Sequence, residues 1–72
     1  MHMRDEIRDM LHREPFVPFR IMLTSGQGFD IQNPDLVALG QTQITVYHPR
    51  SDRYAILRLN QVASLELLEP AA

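Results

Sequence analysis

PFVPFRIMLTSGQGFDI, residues 15–31, decides how this chain folds. Pro15 and Pro18 force an extended path, because proline fixes φ and disfavours helix in the residue before it. From Phe19 the pattern has a period of two: Phe19, Ile21 and Leu23 share one face, while Arg20, Met22 and Thr24 share the other. Ser25-Gly26-Gln27-Gly28 reads as a tight turn with glycines supplying positive φ, and Phe29-Asp30-Ile31-Gln32 alternates again. The stretch is a β-hairpin.

Upstream, the apolar residues Met3, Ile7, Met10 and Leu11 trace one helical face, with Arg4, Asp5, Glu6, Arg8 and Asp9 on the others. Acids near the start and Arg13 near the end suit the helix dipole. Pro15 stops the helix, which is expected over about 3–13. Phe16 and Phe19 are placed to pack across the junction of helix and sheet.

Downstream, Asn33-Pro34-Asp35 breaks the second strand, with Asp35 expected to accept backbone N–H bonds at the turn. Leu36-Val37-Ala38-Leu39 is apolar throughout and predicts a strand covered on both sides. Gly40-Gln41-Thr42 turns the chain into the strand Ile44–His48. A polar connection, His48–Arg53, leads to the strand Tyr54–Leu59, and a brief bend at Asn60-Gln61 precedes Val62–Leu68. No helical crossover separates any two strands, so the sheet is antiparallel. The expected fold is mainly β with one N-terminal helix: a small antiparallel five- or six-stranded barrel of SH3 or Sm type. The barrel spans about 18–68 of a single domain, 1–72, and closure hides strand edges.

Pro15 to Asp35 resembles a family of short uncharacterised bacterial proteins. In that family a leading helix precedes Pro-Phe-x-Pro-Phe, an alternating strand, a Ser/Asp-Gly turn and a His-Pro-Glu/Asp triplet; here Asn33 takes the place of the histidine. The likeness continues to Val62-Ala63-Ser64-Leu65-Glu66. It implies the order of elements and no activity. A second likeness, of architecture, is to Sm-like RNA-binding barrels: Phe29-Asp30-Ile31-Gln32-Asn33 with Leu36–Leu39 is similar to their first motif. Leu59-Asn60-Gln61 stands where their second motif has Arg-Gly, so no RNA-contacting role is implied.

Composition narrows the functional classes. Seventy-two residues without cysteine make one domain with no disulfides, and a core this small gains from self-association. The N-terminal residues lack the continuous apolar stretch of a signal peptide, and no apolar run approaches the roughly 18 residues that span a bilayer. A reducing, cytoplasmic location is expected. All seven basic residues are arginine and the net charge is −2, which is not the basic excess of a typical nucleic-acid binder.

Candidate chemistry is sparse. His2, His12 and His48 show no metal-ligand spacing, so neither metal nor cofactor is expected. Ser25 and Ser51 lack the frame of an activated nucleophile, and Asp30 and Asp35 flank a turn without forming an evident acid–base pair. Gly26-Gln27-Gly28 opens no helix and so is no phosphate loop. Tyr47, His48, Arg50, Arg53 and Tyr54 form an aromatic and basic patch around one hairpin, the candidate contact for nucleic acid or a partner. Met22, on the second face of the first strand, is the candidate for self-association. The expected function is a non-enzymatic interaction module that self-associates, with a small RNA- or DNA-binding barrel as the alternative.

Overall fold

In the computed structural model, which describes residues 2–68, a helix α1 (Met3–Leu11) precedes six strands. These are β1 (Phe19–Leu23), β2 (Gly28–Ile31), β3 (Val37–Leu39), β4 (Gln43–His48), β5 (Arg53–Arg58) and β6 (Val62–Leu67). Short 3₁₀ turns at Pro34–Leu36 and Leu59–Gln61 lead into β3 and β6. The strands pair as two antiparallel three-stranded sheets, in the orders β2-β1-β6 and β3-β4-β5. No ladder joins the two sheets into a closed barrel among the described residues. No described helix is long and apolar enough to cross a membrane.

Alternation builds the core. Phe19 and Ile21 of β1, Ile31 of β2, Ile44 and Val46 of β4, and Leu57 of β5 are buried between the sheets. Ile7 of α1 completes the cluster, with Met3, Met10 and Leu11 packed around it. The helix lies between the sheets' exposed margins: one groove separates it from Pro34–Asp35 and β3, another from Ser64 and Leu65 of β6. Arg4 Nε donates to the Gly40 carbonyl at 2.8 Å, tying the helix to the β3–β4 turn. Phe16 and Phe19 meet edge to face with ring centroids 6.2 Å apart, at the helix–sheet junction as their spacing suggests.

Several local expectations change. The helix ends at Leu11, two residues before the expected Arg13, where the His12 N–H closes the last turn on the Arg8 carbonyl. Only Gly26 of the first hairpin has positive φ, at +93°. Gly28 sits within β2, and a Cβ there would lie 2.9 Å from Met22 Sδ, so the missing side chain makes room for Met22. The acceptor at the Pro34 turn is Asn33, whose Oδ1 takes the Asp35 N–H at 2.9 Å, not Asp35 as expected. The Leu36–Leu39 run is not covered on both sides: Leu36 belongs to the 3₁₀ turn and Ala38 is exposed. A three-residue strand at the margin of a sheet has only one face to bury.

Candidate functional site

The β4–β5 hairpin carries most of the candidate residues. His48-Pro49-Arg50-Ser51 forms a turn in which the Ser51 N–H donates to the His48 carbonyl, with proline at its favoured second position. Asp52 follows at φ +53°, a conformation aspartate tolerates better than most residues. Its carboxylate then lies where Tyr47 Oη donates to Oδ1 at 2.9 Å. That bond raises the Tyr47 pKa, with desolvation adding to the effect. The Tyr47 and Tyr54 rings, paired across the strands, are 4.9 Å apart and inclined at 42°.

The structure divides the five-residue patch. Successive residues of a strand face opposite ways, so Tyr47 and His48 part company. Tyr47 and Tyr54 lie on the outer face of the second sheet. His48 follows Ile44 and Val46 on the inner side, its ring 6.4 Å from that of Phe29. Arg53 pairs with His48, and Arg50 sits exposed in the turn.

Tyr47, His48 and Arg50 nonetheless all border one groove of about 390 Å³ where the two sheets separate. Ile31, Leu36, Val37 and Val46 give it an apolar floor, and Asp30 reaches its rim. Asp30 is engaged elsewhere, since Arg20 Nε donates to its Oδ1 at 2.6 Å. That hydrogen bond and the Coulomb attraction with it outweigh desolvation and hold Asp30 below the usual carboxylate range, making it a weak base. Asp35 does not line this groove, so Asp30 and Asp35 are not brought together there. Among the described residues no three metal-ligating side chains cluster.

Met22 lies on the outer face of the first sheet, half-buried, its sulfur over Gly28. Around it the registers place Arg20, Asp30, Ser64 and Glu66 on the same face. That surface is largely charged and polar.

The outer face of the second sheet has a different character. Ala38, Thr45 and Ile56 form one cross-strand row, Tyr47 and Tyr54 the next, and Gln43 and Arg58 a third. Tyr54 is 68% exposed and Ile56 60%. Ile56 was not among the sequence candidates, although a signal existed: once Leu57 pairs with Ile44 in the core, its neighbour must face outward.

Beside this face, β5 is an edge strand, with β4 its only partner among the described residues. Its free hydrogen-bonding groups can be assigned. The Leu59 N–H donates to the Thr42 carbonyl, and the Gly40 N–H to the Gln43 carbonyl. By antiparallel alternation Ile44, Val46 and His48 therefore bond towards β5, and their partners Leu57, Ala55 and Arg53 bond back. The backbone groups of Tyr54, Ile56 and Arg58 point away from the sheet. The same three residues carry the outer-face side chains.

No family model, curated protein or solved structure matches the chain.

Proposed function

We propose that this chain is a non-enzymatic interaction module that self-associates through the second sheet, at the free edge of β5 and the outer face beside it. One observation carries the reading: Tyr54 and Ile56, two large side chains mostly exposed, stand on a strand whose outer edge has no partner among the described residues. Such an edge is a template for another strand, and monomeric proteins usually blunt it with charge, proline or a bulge. Here β5 is six residues long and regular in its pairing with β4, and its charges stand only at the two ends, Arg53 and Arg58, with Tyr54 to Leu57 apolar between them. The small core, without disulfides, adds a thermodynamic reason for association.

The finer architectural assignment, a small SH3- or Sm-like barrel, draws support from the 3₁₀ turn before β6 and the return of β6 to β1. The absence of cysteine supports a reducing, cytoplasmic setting.

Light scattering on the purified protein across a concentration series tests the main reading. A mass above 8.3 kDa that rises with concentration supports it, and a monomer throughout the series overturns it.

The tilted Tyr47–Tyr54 pair on an open sheet face favours a second reading, a platform on which nucleic-acid bases stack. The net charge of −2 works against it. Retention of single-stranded oligonucleotides on filters at low salt would support this reading, and no retention would remove it.

A further inference from the structure

From the alternation of free groups on β5 we infer the geometry of that association: a second copy of this chain pairs antiparallel, β5 against β5, about a two-fold axis passing beside Ile56. The inference rests on the self-association proposed above and adds the partner strand, the register and the contacts.

The free backbone groups belong to Tyr54, Ile56 and Arg58, which are evenly spaced about Ile56. Setting Ile56 opposite Ile56 of the second copy places Tyr54 opposite Arg58 and Arg58 opposite Tyr54. Every free N–H and C=O of these residues then has a partner on the other strand. The two three-stranded sheets become one six-stranded sheet with its outer face continuous.

Side-chain chemistry favours the same register. Directly opposed side chains share a face, so two isoleucines meet at the axis and a guanidinium lies against a tyrosine ring on either side. Beyond that ring stands Asp52, held on the outer face by Tyr47 Oη. A diagonal neighbour two residues along is within reach of a long side chain. Arg58 therefore meets an aromatic face and a carboxylate of the second copy, and neither Arg58 nor Asp52 makes an ion pair among the described residues of its own chain. Other registers do worse. Opposing the two Arg58 residues sets like charges face to face. A slip of two residues from the Ile56 register either opposes Ile56 to Arg58, leaving Tyr54 without a strand residue opposite, or sets Arg58 against Asp52, which lies outside the strand.

Single-cysteine variants of the full chain test the register, because the chain has no cysteine of its own. With Ile56→Cys the two Cα atoms lie about 5.5 Å apart, within the roughly 4.4–6.8 Å that a disulfide bridges. Tyr54→Cys alone and Arg58→Cys alone place identical residues four positions apart, about 14 Å along the strands. Under mild oxidation the expected result is a covalent dimer for Ile56→Cys, loss of that band for each of the other two alone, and a covalent heterodimer when Tyr54→Cys and Arg58→Cys are mixed. The mixture leaves Ile56 intact, so it reads the register even where a substitution at the axis weakens association.

A wild-type protein that stays monomeric overturns the self-association beneath this inference. A wild-type dimer in which Tyr54→Cys mixed with Ile56→Cys gives the dominant cross-link, or in which Met22→Cys cross-links and β5 does not, overturns the register and leaves self-association standing. A closed ring of several copies also overturns the two-fold, since a ring requires β5 to meet a different surface of the next chain.

Discussion

Replacing Ile56 with lysine separates the interface from the fold. Ile56 keeps 60% of its surface exposed in the single chain. Full burial of an isoleucine is worth about 1.5–3 kcal/mol; edge pairing covers the flank and leaves the outer face open, so the two that meet on the axis gain at most about 2–4 kcal/mol together. At about 1.4 kcal/mol per factor of ten, that ceiling corresponds to roughly 30- to 700-fold, and losing half of it still weakens the dimer by roughly 5- to 30-fold. The lysine stem recovers part of the area, but two ammonium groups then oppose each other across the axis. The single chain should be almost indifferent, because exposed substitutions of this kind change stability by about 0.5 kcal/mol or less. Sedimentation equilibrium of wild type and Ile56→Lys over one concentration range gives the dissociation constants. Urea melts at concentrations where both are monomeric give the stability of the fold. An unchanged dissociation constant would refute the reasoning. So would a monomer destabilised by much more than the surface value, since Ile56 would then serve the core.

Phe19 is wholly buried and braced by Phe16, so Phe19→Ala should cost about 3–5 kcal/mol. Against a total of about 4–11 kcal/mol, from roughly 0.05–0.15 kcal/mol per residue over 72 residues, urea melts should show a large loss of stability. The Arg20–Asp30 pair makes stability depend on acid. The Asp30 pKa is lowered in the folded chain by the hydrogen bond from Arg20, so its contribution is present above the unfolded carboxylate value of about 3.9 and is lost as pH falls through the folded value. Asp30→Asn should flatten that part of the stability–pH curve; an unchanged acid limb would contradict it. Tyr47 behaves in the opposite sense. Its raised pKa means the Asp52 bond stabilises below the unfolded phenol value of about 10 and fades as pH rises through the folded value. Asp52→Asn should therefore bring Tyr47 ionisation to lower pH in an ultraviolet titration.

Much of the fold is legible in side-chain period alone. The alternation Phe19-Arg20-Ile21 and the spacing of Met3, Ile7, Met10 and Leu11 specify hairpin and helix, because each pattern presents a continuous apolar face in only one conformation. What periodicity does not encode is which neighbour a strand acquires. That β6 returns to β1, leaving β5 at an edge, follows from how two small sheets cover one core. Turn chemistry was ambiguous for a local reason: Asn33 and Asp35 both flank Pro34 and both can accept N–H bonds, and only the path of the chain selects Asn33. The aromatic and basic patch drew together residues adjacent in sequence, whereas strand geometry sends Tyr47 and His48 to opposite faces. The same alternation identifies Ile56 and Arg58 as neighbours of Tyr54, once Leu57 is assigned to the core.

Amide hydrogen exchange of the wild-type protein at two concentrations, one below and one above its association midpoint, tests most directly whether the edge of β5 is the interface. The N–H groups of Tyr54, Ile56 and Arg58 should exchange freely in the dilute sample and become protected in the concentrated one. Those of Ala55 and Leu57, already bonded to β4, should be protected in both. Free exchange of Tyr54, Ile56 and Arg58 in a sample whose mass is that of a dimer would contradict the account, because association would then leave this edge in water.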